Sequence, residues 1–203
     1  MLNAYLYEGK TREEAVDKAL DYLNLDEEYV LIRELPSEDE KIVKIEVIDK
    51  ADIKHFIKEY VENLSNLLGM EINTEIREVE GSYNVKLVSN NNSILIGKDG
   101  RTIAAIQTLL RKSLENQAHQ PIKVNVDVAN YKEKNLRRKT YEIKKIAYEV
   151  QKTKVDVELD PMNSYERREI HNMVDQIPHV TTESIGEGRE RHIVIKYVEE
   201  DSE

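Results

Sequence analysis

Apolar residues recur along this chain with two periods, and the places where the period changes divide it into elements. Ile53, Phe56, Ile57, Tyr60, Val61, Leu64, Leu67 and Leu68 keep the 3.6-residue spacing of one helix face. Asp52 is a candidate cap for that helix, and Gly69 suits the position just past its end. Two alternating runs come next, Ile72-x-Thr74-x-Ile76 and Tyr83-x-Val85-x-Leu87, and the Gly81-Ser82 turn between them predicts a hairpin. Asn90-Asn91-Asn92 breaks the second strand. Ser93 is placed to cap a short turn over Ile94–Ile96, and Gly97-Lys98-Asp99-Gly100 comes next. Ile103, Ile106, Leu110 and Leu114 then predict a helix from Gly100 to Gln117 with Asp99 as its N-cap, before Ile122, Val124, Val126 and Val128 return to strand alternation.

The flanks read in the same way. Leu2–Glu8 is a strand candidate, and Thr11 with Glu14 forms a capping box ahead of the helical positions Ala15, Val16, Ala19, Leu20 and Leu23. Tyr29–Leu35 and Lys41–Ile48 alternate as strands around the acidic turn Pro36-Ser37-Glu38-Asp39-Glu40. On the other side a helix is predicted over Tyr131–Lys152, burying Leu136, Ile143, Ala147 and Val150, and a strand over Val155–Leu159. Asn163 and Glu166 cap a further helix whose inner face is Ile170, Met173, Val174 and Ile177 and which Pro178 stops. Val180–Ser184 and His192–Val198 close the pattern around Gly186-Glu187-Gly188. The expected fold class is α+β, with three small domains in tandem: a β-α-β-β head over residues 1–50, an α-β-β-α-α-β domain over 51–130, and a basic helix with a small α/β domain over 131–203. A head of this size buries too little surface to be stable alone and is expected to lean on its neighbour.

Charge changes the picture because it is unevenly spread. The 203 residues carry a net −10, which argues against nucleic acid as a partner. Residues 1–50 alone hold a net −7, however, whereas residues 131–145 hold seven Lys/Arg against two Glu. A local basic stripe counts for more toward a phosphate chain than the total, because exposed charges are screened beyond ~8 Å. The chain has no Cys, so neither a disulfide framework nor a Cys-based zinc site is expected. His171 and His179 have no third ligand at a usual spacing, and no metal or cofactor is expected. No apolar run approaches the ~20 residues that span a bilayer, and no basic region leading into an apolar one opens the chain. The expectation is a cytoplasmic protein with no integral membrane segment. No Ser-His-Asp order is present, and Gly97-Lys98-Asp99-Gly100 lacks the Lys-Ser/Thr ending of a phosphate-binding loop, so no enzyme is expected.

The candidate chemistry lies at two places. Between two helices, Gly97 and Gly100 permit positive φ and close approach of another backbone. The second helix begins there, and its unpaired N–H groups and dipole suit a phosphate. Lys98 and Arg101 add positive charge, while Asp99 puts a carboxylate on the same path. A lone G-x-x-G reads first as a plain helix-loop-helix turn with glycines for geometry; it is the surroundings that change the weight. The second place is Arg167 and His171, four apart and so on one helix face, which suits a shared anion or a stacked base; a structural histidine is the other reading. Arg137, Arg138, Lys139, Lys144 and Lys145 are candidate phosphate contacts along the basic helix, forming either an edge that tracks a nucleic-acid backbone or a solvated face.

The order helix, strand, strand, short helix, G-x-x-G, helix, strand over residues 51–130 resembles a type II KH domain, a module that clamps about four nucleotides of a single strand. Arg167-x-x-x-His171, with Pro161-Met162-Asn163 before it and Val180-Thr181-Thr182-Glu183-Ser184-Ile185-Gly186 after it, resembles the nucleic-acid-binding R-3-H domain over roughly 140–198. The two in this order, after a small head, resemble the bacterial Jag proteins (the SpoIIIJ-associated, KhpB or EloR family). Jag heads carry a Lys-Lys-Gly-Phe-Leu-Gly segment, and Leu35–Lys44 contains no glycine; their long charged linker is also missing, since Ile48-Asp49-Lys50-Ala51 runs straight into the next helix. The resemblance implies an RNA-binding regulator of cell elongation, division or sporulation that pairs with a small KH-only protein. On the residues alone, single-stranded RNA is the expected partner. The alternative is a protein-interaction scaffold that uses KH-domain dimerisation or self-association, its RNA binding weak or vestigial.

Overall fold

The computed structural model describes residues 2–39 and 41–199. The chain divides into two compact units, Met1–Tyr131 and Lys132–Glu203. It is built from three three-stranded sheets, each with its own helices.

In the first unit, β1 (Ala4–Gly9) leads into α1 (Arg12–Leu23), then β2 (Val30–Leu35) and β3 (Val43–Asp49). β3 lies in the middle, antiparallel to both neighbours. Its side chains alternate, so Ile45 and Val47 join Ala15, Val16, Ala19 and Val30 in one core, while Ile48 joins the core of the next sheet together with Leu2. Glu46 is buried on that second side, and Arg33, its cross-strand partner, donates two hydrogen bonds to it at 3.0 and 2.8 Å. The expected capping box at Thr11 forms in altered shape. Thr11 Oγ1 accepts the Glu14 N–H, but the Glu14 carboxylate takes the N–H of Lys10. Glu40, in the expected acidic turn, lies outside the described residues.

No linker separates this head from the second sheet and its helices. Asp49 is both the last residue of β3 and the N-cap of α2 (Lys50–Leu68), accepting the Ala51 N–H at 2.7 Å. The expected cap, Asp52, sits instead in the first turn, because the strand carries the chain in extended form as far as Asp49. Gly69 ends the helix in the left-handed conformation.

β4 (Ile72–Val79) and β5 (Ser82–Ser89) form the hairpin, and Glu80 and Gly81 both have positive φ, as a two-residue turn requires. α3 (Asn92–Ile96) and α4 (Arg101–Ala118) then carry the chain across to β6 (Lys123–Val128), which pairs parallel to β5; a parallel neighbour needs such a crossover. The core collects Ile53, Ile57 and Val61 of α2, Ile103, Ile106, Leu110 and Leu114 of α4, and the inward residues of β5 and β6. Ser93 does not cap α3: the N-cap is Asn91, without a side-chain bond, and Asn92 instead accepts the Ser89 N–H at 2.9 Å.

α5 (Tyr131–Thr153) begins at the end of the first unit and supplies the second with Ile143, Ala147 and Val150, while Leu136 is half-buried. β7 (Val157–Glu158), α6 (Ser164–Val174), β8 (Val180–Ile185) and β9 (His192–Tyr197) complete that unit, with β9 central and antiparallel to both neighbours. α6 ends four residues before Pro178, at Val174. Ile170 and Val174 nevertheless pack on Ile193 and Ile195 as the spacing predicts, and Ile177 is buried just beyond the helix.

Candidate nucleic-acid interface

The Gly97–Gly100 loop joins α3 to α4 through an unusual run of backbone conformations. Gly97 closes α3, its N–H donating to Ser93 O at 2.9 Å, and takes φ 70°, ψ −179°, a combination essentially confined to glycine. A Cβ there would lie 2.1 Å from Thr102 Oγ1. Lys98-Asp99-Gly100 make one 3₁₀ turn in which Asp99 (φ 53°) and Gly100 (φ 79°) are both left-handed. A Cβ on Gly100 would meet the Tyr131 ring at 2.8 Å. Tyr131 therefore supports the loop from beneath, a role that no local pattern announces because the two are 31 positions apart in the chain.

The expected N-cap is not the observed one. Asp99 does not cap α4; Gly100 occupies the cap position, and no side chain bonds to the helix end. Asp99 lies one residue before the cap position, in the left-handed turn, and its carboxylate bonds none of the N–H groups ahead of it in α4. The start of α4 thus keeps its backbone donors uncovered by any side chain, in a field that favours an anion. Lys98, Asp99 and Arg101 are exposed. Among the described residues neither Lys98 nor Arg101 makes an ion pair. Farther along α4, Gln107 Oε1 accepts the Val126 N–H at 3.0 Å and so covers part of the open edge of β6.

In the second unit the capping box of α6 has both arms: Asn163 Oδ1 accepts the Glu166 N–H at 3.0 Å, and the Glu166 carboxylate accepts the Asn163 N–H at 3.2 Å. Arg167 and His171 are both half-buried, each tied to a different neighbour. Arg167 donates to Met162 O at 2.8 Å and pins the Pro161–Asn163 loop. His171 Nδ1 shares a short hydrogen bond with Thr182 Oγ1 of β8. One end of each side chain is therefore structural. The remaining donors of the guanidinium and the second ring nitrogen are the groups left to chemistry.

The basic residues of α5 divide. Lys139 turns inward, and its ammonium meets Glu166 at 2.7 Å, holding α5 to the start of α6. Arg137 pairs with Glu133 at 2.6 Å on the surface, and Arg138 donates to Asn135 at 3.0 Å. Lys144 and Lys145 are exposed, and the Lys145 ammonium stands 4.4 Å from the centre of the Tyr141 ring. Among the described residues no helix is long and apolar enough to cross a membrane.

Comparison with known proteins matches residues 54–136 to the KH domain of the KhpA/KhpB proteins and residues 142–197 to the R-3-H domain. Both are binding domains rather than catalytic ones. The RNA-binding protein KhpB of Clostridium symbiosum is 35% identical over 198 residues, covering 92% of this chain and 88% of that protein. The RNA-binding protein KhpB of Bacillus subtilis is 28% identical over 199 residues, covering 93% and 96%. The protein of that name from Streptococcus pneumoniae is 24% identical over 96% of this chain, which spans 58% of its length. With KH and R-3-H domains in tandem and similarity along nearly its whole length, this chain belongs to the KhpB (Jag) family.

Proposed function

We propose that this protein binds single-stranded RNA, without catalysis, by passing the RNA backbone over Gly97–Gly100 at the start of α4. The observation that carries the reading is the uncapped helix end beneath a glycine-bounded turn, with Lys98 and Arg101 exposed and unpaired beside it. A phosphate placed there meets backbone donors, the helix dipole and two cations together. The names of the similar proteins support RNA as the ligand. Arg167 and His171 supply a second contact with the groups their structural bonds leave over. The protein acts in the cytoplasm, in cell elongation, division or sporulation, and pairs through its KH domain with a small KH-only protein or a second copy of itself.

The test is titration of the full chain with mixed-sequence single-stranded RNA at two salt concentrations, beside Gly100→Asp and Lys98→Gln/Arg101→Gln. Loss of binding in the first is expected. In the second, weaker binding is expected, with a salt slope shallower by about 0.7 for each cation removed. Thermal melts control for folding. Equal affinities for all three proteins would favour the scaffold reading, which the net −10 also supports.

A further inference from the structure

Helix α5 carries a surface that the loop and the Arg167/His171 pair leave unused. Ile143, Ala147 and Val150 point into the second unit. At 3.6 residues per turn, the positions facing away are Arg138, Tyr141, Lys145, Tyr148 and Lys152, with Lys144 on the flank, and all six are exposed. The central strip of that face carries no carboxylate; Glu149 borders it at about 50° from the outward direction and Glu142 stands at about 70°, nearer than Lys144 at about 90° on the opposite flank. Tyr141 is 62% and Tyr148 49% exposed, so neither ring is needed by the core. They stand seven residues apart, about 10.5 Å along one helix face.

A solvated helix face commonly mixes both signs of charge, and a single exposed ring on one needs no explanation. The centre of this one instead sets two exposed rings among cations alone, in a chain whose acidic residues outnumber its basic ones by 40 to 30. Rings interleaved with cations are what a flexible polyanion with flat bases requires. Stacking needs only a π-face, and the phosphates need nearby charge. The Lys145 ammonium over Tyr141 shows that ring and cation already lie within reach of each other. A lipid surface fits poorly, because the apolar side of α5 is spent on the core around Ile170 and Ile193 and nothing remains to insert.

We propose that the outward face of α5 is a platform for single-stranded RNA, on which bases stack against Tyr141 and Tyr148 while phosphates pair with Arg138, Lys144, Lys145 and Lys152. This deepens the RNA-binding reading given above and rests on it.

The experiment uses the full chain and a mixed-sequence single-stranded RNA oligomer. Tyr141→Leu/Tyr148→Leu keeps apolar, helix-favouring side chains and removes both rings. It is expected to weaken binding at least about tenfold with an unchanged salt slope, and Tyr141→Phe/Tyr148→Phe to restore it. Lys144→Gln/Lys145→Gln is expected to weaken binding and to lower the slope by about 1.4. Because the chain has no Trp, Tyr141→Trp gives a single tryptophan, excited apart from the tyrosines at long wavelength, whose emission should be quenched as RNA is added. Wild-type affinity in the Leu double variant, beside lost binding in Gly100→Asp, would overturn the platform and leave the loop standing. Weakening by the Lys changes alone would reduce the face to a charge effect and overturn the stacking claim. A Trp response to polyglutamate and none to RNA would make the face a site for an acidic protein and overturn the proposal. If the wild-type chain binds no RNA, the RNA-binding reading falls first.

Discussion

Asp99 is an anion within the loop of the proposed RNA path, and its removal should strengthen binding. Its backbone is left-handed (φ 53°, ψ 27°), and it caps no helix. The charge can therefore be removed without losing a cap, provided that the replacement tolerates the same conformation. Asn and Gly do; Ala pays ~1–2 kcal/mol for it. The carboxylate also sits near the positive end of α4, where it contributes ~0.3–1 kcal/mol. A phosphate about 7 Å away in a medium close to water repels it by ~0.6 kcal/mol. With two phosphates in range the repulsion is ~1 kcal/mol, about a fivefold change in affinity. Asp99→Asn and Asp99→Gly should then bind single-stranded RNA about fivefold more tightly at low salt, melt within a few tenths of a kcal/mol to ~1 kcal/mol of wild type, and lose the gain as salt shortens the screening length. Asp99→Ala should melt lowest of the three and gain less. Binding titrations at two salt concentrations, with melts alongside, settle the matter. Weaker binding by both Asn and Gly variants would mean that the carboxylate contacts the RNA directly. Unchanged affinity in both, beside a Gly100→Asp that no longer binds, would place Asp99 away from the path.

Gly97→Ala should cost ~1–3 kcal/mol and abolish the loop's binding together, since its φ/ψ and the 2.1 Å approach to Thr102 Oγ1 both oppose a Cβ; a wild-type melting temperature would refute this. Tyr83→Phe should raise the melting point of the first unit by the equivalent of ~1 kcal/mol, because the Tyr83 hydroxyl is buried with no hydrogen-bond partner among the described residues. Burial alone would raise the Glu78 pKa, but hydrogen bonds from Lys50 and Lys54, whose ammonium groups lie 3.0 and 3.3 Å from the carboxylate, outweigh it and hold the carboxyl below its usual range. A lowered folded-state pKa stabilises above the unfolded value, about 4.3, and the contribution is lost as pH falls through the folded one. Glu78→Gln should accordingly cost ~1 kcal/mol at neutral pH, with the exposure of Lys54 limiting the effect, and the gap from wild type should close as acid is added; a gap independent of pH would count against it.

The range of each interaction decides whether the sequence discloses it. Helices α2, α4 and α5 are legible because each keeps one apolar face over four turns or more. The α6 capping box is legible because both its partners lie within three residues. Cap choice is less so. The expected caps Asp52, Ser93 and Asp99 give way to Asp49, Asn91 and Gly100, because the backbone direction set by the preceding strand or turn, and not residue type, decides where the helix begins. The head shows the same limit. Its need for a neighbour can be read from its size, but Leu2 and Ile48 reach the core of the next sheet through tertiary packing alone. At the candidate sites the residue types stand out in the chain, and their partners do not. Tyr131 under Gly100, Glu166 at Lys139, Met162 at Arg167 and Thr182 at His171 all lie beyond local patterning or on another element. Tyr141 and Tyr148 carried no signal against the helical period except their absence from the apolar face.

The distribution of charge bears on which nucleic acid such a protein can hold. With a net −10 and a head at −7, the protein offers a polyanion no long-range attraction, so the unspecific electrostatic term that dominates duplex binding is weak. On the proposed reading, binding then depends on contacts at short range. Backbone donors at the start of α4, cations touching a phosphate and rings touching a base all act within a few ångströms, inside the screening length of ~8 Å at physiological salt. A duplex hides its bases, so it cannot use ring stacking, and its paired backbone cannot bend through a turn bounded by Gly97 and Gly100. A single strand can do both. On the proposed reading, the same short-range contacts therefore favour a single strand over a duplex, whose paired bases offer no free face to a tyrosine ring.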